Sequence, residues 1–469
     1  MSFRAFCACA SLAVAARAWS ADAQLEPNSQ LARDVYRELV EINTVTATGD
    51  TGRAADAMAA RLRSAGFAEK DVQVFHPAPR KGNLVARLRG TGARRPILLV
   101  AHLDVVEAKA TDWTTDPFRL VEKDGWFYGR GTGDDKAMAA AFVAAMIRYR
   151  REGLVPARDV ILVLETDEEI LDANVLGMQW LLKNHRDLLD AELALNEGGS
   201  VQHAKGKPVL LALQTSEKVS AHFVLEVKNK GGHSSLPSKD NAIYRLAAAL
   251  ERLSRFAFPL ELNETTRAWF ERTAAREEPA IAEDIRSLLS ARPDPEAVAR
   301  LGDNSVFNAQ MRTTCVATLL EAGHAPNALP QTARATVNCR ILPGQPVEEV
   351  QKALARVVAD EQVSVTNTFA LAASPPSPID PVLVHTIEQV ASGFWPGVPV
   401  APTLLAAATD GSFLRTAGIP TYGHSGMRSD LEDNRAHGKD ERLSVEAFYK
   451  GSEYLYRLVK ALANGAPGS

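Results

Sequence analysis

Apolar and polar residues follow two different rhythms along this chain. Between residue 30 and about residue 215, segments 31–42 and 54–65 carry apolar residues at helical spacing, and 72–75 and 84–88 read as strands. Three further apolar runs follow, Ile97-Leu-Leu-Val-Ala101, Val160-Ile-Leu-Val-Leu164 and Leu193-Ala-Leu195. An Ala-rich helix predicted at 138–149 and a helical segment at 175–184 separate them. Strands alternating with helices predict an α/β sheet covered on both faces. From about Glu217 the rhythm becomes β-α-β-β-α-β, with strands at 223–227, 314–320, 333–341 and 363–369 and helices at 241–253 and 347–359. That order is the split βαβ sandwich. A helical stretch rich in Arg, Glu and Ala, 261–301, is inserted within it. The run Ser374-Pro-Pro-Ser-Pro378 marks a boundary, after which helices at 382–391 and 445–462 resume the first unit. The expected division is 24–216 and 373–469 for one domain and 217–372 for the inserted one.

Composition narrows the class. At 469 residues the chain exceeds one ordinary core, and 46% hydrophobic with 23% charged residues is a soluble, globular balance. A net charge of −4 without a basic stripe gives no sign of nucleic-acid affinity, and no nucleic-acid partner is expected. Residues 1–23 read as an export signal: Arg4 supplies a positive start, 5–16 is small and apolar, and Ala21-Asp-Ala23 has the form of a cleavage site. A frayed N-terminal helix is the alternative. No later run approaches the ~20 apolar residues of a membrane span, so the mature form is expected to be periplasmic or secreted, with no membrane partner. Cys315 and Cys339 then remain in a disulfide-permissive compartment, where a bridge and two buried thiols are both open. With no Cys-x-x-Cys pair, a thiolate metal site is excluded.

The chemistry lies at the strand ends. The first run leads into His102-Leu-Asp104, the second into Glu165-Thr-Asp-Glu-Glu169 and the third into Asn196-Glu197, while the turn Gly129-Arg-Gly-Thr-Gly133 delivers Asp134-Asp135. Carboxylates crowded at the ends of buried strands repel one another and are poorly solvated, so they predict a cation at the sheet edge where ligands bind. A single strand-end acid is usually solvated or caps a helix. His102, Asp134, Glu169, Glu197 and a histidine from the far end of the chain together suit two divalent ions, which take roughly four to six oxygen and nitrogen ligands. The glycine turn resembles a phosphate loop only superficially, because the two aspartates that follow would repel phosphate.

The same residues carry a family resemblance. His102-Leu-Asp104-Val105, Tyr128-Gly-Arg-Gly-Thr-Gly-Asp-Asp-Lys136, Asp167-Glu-Glu169 and Asn196-Glu-Gly-Gly199 resemble motifs of the M20 metallopeptidases and amidohydrolases. Gly231-Gly-His-Ser-Ser235, Asn327-Ala-Leu-Pro330, Asn338-Cys-Arg-Ile-Leu-Pro343 and His437-Gly-Lys-Asp-Glu441 continue the likeness in the family's order, over essentially the whole mature chain. The resemblance implies an α/β, mixed-sheet dizinc exopeptidase catalytic domain with an inserted ferredoxin-like α+β lid, through which two copies form a homodimer. It implies two divalent metal ions, expected to be zinc. Asp134, Glu169 and His437 would hold one ion and His102, Asp134 and Glu197 the other, with Asp134 bridging and followed by a cis peptide. Glu168 is then the general base, since neighbours on an extended segment point in opposite directions and only Glu169 can face that ion. Asp104 would orient the His102 imidazole and fix its tautomer.

On the substrate side, the resemblance places His233 across a dimer interface as an oxyanion donor, and Asn327 and Arg340 on the substrate's terminal carboxylate. Read alone, His233 is an incidental loop residue and Arg340 serves equally as a surface strand residue. Ile170-Leu171-Asp172 and Ala406-Ala-Ala408 depart from the family, which commonly has glycines near both places; the alanines imply a narrower pocket. The expected function is hydrolysis of the amide bond of small peptides or N-acyl amino acids with a free C-terminal carboxylate, as in a carboxypeptidase. N-acyl-amino-acid deacylase and dipeptidase activities are the near alternatives, and a non-catalytic dimeric binding protein on the same fold is the distant one.

Overall fold

A computed structural model describes residues 25–170 and 175–465; the expected export signal and the departure at Leu171-Asp172 lie outside the described residues. The strand Ile97–His102 is buried throughout and runs parallel to Val160–Glu165 on one side and Leu193–Asn196 on the other. Its alternate residues serve opposite faces. Ile97, Leu99 and Ala101 pack with Tyr36, Phe142 and Leu458, while Leu98 and Val100 pack with Met178, Leu181 and Leu414. Burial on both faces is why these strands read as unbroken apolar runs. Antiparallel strands Lys81–Leu88 and Val72–Ala78 extend one edge, and Thr421–Gly423, Lys207–Glu217, Val201–Ala204 and Arg428–Asp430 extend the other. With Val400–Leu405 alongside Lys207–Glu217, this is a 10-stranded mixed sheet. The three central parallel strands all end at one edge, where His102 lies opposite Glu165.

The chain crosses to a second sheet at Glu217–Val219. Its four antiparallel strands lie in the order Thr314–Ala322, Thr332–Ile341, Val219–Lys228, Val363–Ala370. Helices Ala242–Ser254 and Val347–Val358 cover one face, burying Leu246 and Leu354 against Phe223, Leu225 and Val337. This is the expected ferredoxin-like unit. Cys315 and Cys339 pair directly across its strands and are joined by a disulfide, which decides between the two readings of these cysteines.

The inserted stretch is helical, as expected, and packs on the main sheet. It forms helices Glu264–Ala274, Pro279–Leu289, Pro295–Gly302 and Ser305–Met311. Their apolar side chains Trp269, Phe270, Ile285 and Leu288 are buried against Leu210 and Ala401 of the main sheet, away from the ferredoxin-like core. That core already has two helices of its own, so the aromatic stripe finds its partner on the larger sheet. Three short strands, Val121–Lys123, Trp126–Tyr128 and Arg442–Ser444, form a further small sheet too brief to show a period in the sequence. Among the described residues, no helix is long and apolar enough to cross a membrane.

Candidate metal centre

The sheet edge gathers its ligands around Asp134. Its Oδ1 lies 2.9 Å from His102 Nε2, and its Oδ2 lies 3.2 Å from His437 Nε2. One carboxylate therefore offers one oxygen to each of two imidazoles. His437 Nε2 also lies 3.0 Å from Glu169 Oε1. Glu197 joins His102 and Glu168 in a second cluster whose ligand atoms all lie within 4.8 Å of one another. The peptide Asp134–Asp135 is cis. The structure thus brings His102, Asp134, Glu168, Glu169, Glu197 and His437 together from strand ends and loops up to 335 positions apart (102 to 437).

The electrostatics ask for positive charge. Burial, followed by the negative charge of Glu197, pushes Glu168 well above the usual carboxylate range. Burial, followed by Asp134, does the same to Glu197. Burial also acts to raise Asp134, but hydrogen bonds from His102 and His437 outweigh it and hold that carboxyl well below its ordinary value. A desolvated cluster with more carboxylates than imidazoles is costly unless cations compensate it. The donors are imidazole nitrogen and carboxylate oxygen, the types that zinc takes. The residues fit a pair of divalent ions.

Two expected details change. His102 Nδ1 lies 2.9 Å from the main-chain oxygen of Asp104 but 3.8 Å from its Oδ1, so the main chain rather than the carboxylate fixes the imidazole. The Asp104 carboxylate instead accepts the main-chain N–H of Glu168 at 3.2 Å and of Glu169 at 3.1 Å. Glu168 and Glu169 lie in a turn, not on an extended segment, and Asp104 braces both. Asp167, at φ 70°, holds the start of that turn through an ion pair with Lys81 at 2.5 Å.

A cleft of about 630 Å³ opens over the cluster, lined by Glu168, Glu197, Arg340, Ala407, Ala408 and Phe413 among others. Arg340 is therefore at the site. His233 and Asn327 are exposed and do not line this cleft; they sit on a ribbon pairing Gly232–His233 with Ala328–Leu329, where Ser234 N–H donates to Asn327 O at 3.1 Å. Ser220 stands opposite Arg340 in the strand register, on the same sheet face, and Lys218 precedes that strand. Ser220 Oγ is buried without a hydrogen-bond partner, and Lys218 donates to the Arg312 carbonyl at 2.7 Å. Burial, then the charge of Arg340, pulls the Lys218 ammonium down to about 7.

Comparison with known proteins agrees with this geometry. Residues 98–461 match the family model of peptidase family M20/M25/M40. Human N-fatty-acyl-amino acid synthase/hydrolase PM20D1 is 31% identical over 378 residues, covering 78% of this chain and 74% of that protein. The M20 metallo-carboxypeptidase Sso-CP2 of Sulfolobus solfataricus shares the fold with a TM-score of 0.68 at 18% identity, over 92% of this chain and 98% of its own. A dinuclear metal-binding M20 peptidase of Bacillus subtilis gives 0.58 at 12% identity, over 93% and 98%. With a match across most of its length and the metal-ligand cluster inside that match, the chain belongs to peptidase family M20/M25/M40 and is an enzyme of that hydrolase family.

Proposed function

We propose that the protein hydrolyses the amide bond of N-acyl amino acids or small peptides that end in a free carboxylate, at a pair of zinc ions. The observation that carries this reading is Asp134 placed between His102 and His437, with Glu168 beside them and Arg340 lining the same cleft. The deacylase arm is favoured over the peptidase arm by the 31% likeness to an N-fatty-acyl-amino acid hydrolase. Bound cations would polarise the scissile carbonyl and acidify the attacking water. Glu168 takes the proton of that water as oxygen adds to the carbonyl carbon, then gives it to the amine nitrogen as the C–N bond breaks. Asp104 keeps the main chain of Glu168 in place during both transfers. Elemental analysis of the purified protein, together with release of free amino acid from acylated and peptide substrates, tests the reading. A protein that holds zinc yet cleaves neither class would refute it.

Arg340 is assigned to the substrate carboxylate. Burial pulls its guanidinium down, and no carboxylate among the described residues offsets that effect. Arg340→Ala should raise KM for free-carboxylate substrates about 10- to 100-fold, the worth of a charge-assisted hydrogen bond. It should leave KM for the amidated analogues nearly unchanged; an equal rise for both would reject the assignment.

We assign residues 24–216 and 373–469 to the catalytic domain, with the helices of 264–311 packed on its sheet, and the rest of 217–372 to a lid through which two copies pair. Val316, Leu319 and Leu320 support this, exposed by 60%, 64% and 66% on the edge strand of the four-stranded sheet. An open apolar edge of this kind is a template for pairing. Pairing would bring the His233 and Asn327 ribbon to the other copy's cleft. The double variant Leu319→Glu, Leu320→Glu should sediment as a monomer and lose turnover about 100-fold, as removal of an oxyanion donor does. A monomeric wild type, or full turnover in the variant, would count against it. Export belongs to the same reading, and the Cys315–Cys339 bridge is consistent with an oxidising compartment.

A further inference from the structure

A glycine turn whose N–H groups converge forms a nest for an anion. In this protein the turn at 129–134 is filled from within, by the carboxylate of Glu441. Oε1 accepts the N–H of Gly133 at 2.7 Å and of Asp134 at 3.1 Å. Oε2 accepts the N–H of Gly131 at 3.1 Å and Nη1 of Arg130 at 2.6 Å. Glu441 is 1% exposed and Arg130 2%. Gly131 has φ 84°, and a Cβ there would come within 2.9 Å of side-chain atoms of Lys136 and Val105, so the turn has no slack.

The same guanidinium reaches the other end of the site. Arg130 Nη2 donates to the main-chain oxygens of Gly438 at 3.0 Å and His437 at 3.4 Å, and the group lies 5.1 Å over the Trp113 ring. Glu441 thus holds the main chain of Asp134 directly and that of His437 through Arg130. These are two of the three residues assigned above to one cation, and they come from opposite ends of the sequence.

We propose that Glu441 is a positioning residue that sets the separation of Asp134 from His437, and so fixes the affinity for the cation those residues share. The proposal rests on the dinuclear reading of the site. Residues that brace metal ligands from behind typically change metal affinity 10–100-fold when replaced.

Calorimetric titration of zinc into metal-free full-length protein tests it. The wild type should bind two ions per chain; binding of none would overturn the dinuclear reading itself, a failure separate from that of Glu441. Glu441→Gln puts amide N–H groups among N–H donors and should weaken one of the two ions 10–100-fold. In Glu441→Ala the emptied nest should accept formate, which restores that affinity while chloride at equal ionic strength does not. A purely structural role would lower the melting temperature without any response to formate. Wild-type affinity for both ions in Glu441→Gln, or a weakened Glu441→Ala that formate leaves unchanged, would overturn the proposal. Should Glu441→Ala not fold, Glu441→Asp decides. An affinity between those of the wild type and Glu441→Gln supports the proposal, and one equal to either opposes it.

Discussion

Glu168→Gln should retain both cations and lower kcat about 10²- to 10⁴-fold, the usual contribution of a positioned proton carrier. Glutamine keeps the size and one acceptor of the side chain, and the brace from Asp104 acts on the main chain, so the turn should survive the change. What is lost is a group that can bind a proton and release it. Glu168 lines the cleft beside the ligand cluster, within reach of a water held there. Because Glu168 shares a cluster with His102 and Glu197, the experiment must measure metal content alongside kcat. A kcat within tenfold of wild type would remove Glu168 from the proton-transfer role. A loss of one ion would make it a ligand instead.

Asp134→Ala should have the larger effect, because both ions depend on that residue. Among the described residues, Asp134 meets both His102 and His437, one through each oxygen. Its removal should abolish tight binding of the pair and lower turnover by at least about a thousandfold, the several kcal/mol that metal stabilisation of the transition state supplies. Added zinc should not restore activity. His437→Ala offers the contrast, since it should weaken one ion and leave His102 and Glu197 to hold the other. Two tightly bound ions in Asp134→Ala would show that the bridge lies elsewhere.

These predictions differ in how far they could be read from the chain alone. The strand-end acids were legible because each follows its apolar run directly, and a buried strand must release its polar residues at its end. The placement of Glu168 was anticipated on the wrong ground. The pair with Glu169 was expected to diverge along an extended segment, whereas the two lie in a turn braced by Asp104. Glu441 belonged to a quoted motif, yet nothing local indicated that its carboxylate fills the glycine turn 310 residues earlier. The N–H groups of the turn take this internal carboxylate in place of an outside anion.

By itself, the sequence determined the alternation of helices and strands, the ferredoxin-like insertion and the set of residue types that a pair of cations requires. Those features are local: they depend on residue spacing and on how each side chain partitions between water and core. The tertiary structure alone decided which oxygen of Asp134 faces which imidazole, that the helical stretch packs on the main sheet through Trp269 and Phe270, and that Cys315 meets Cys339. Such pairings join residues far apart in the chain. They are chosen by the packing of whole elements, so no short stretch of sequence contains them.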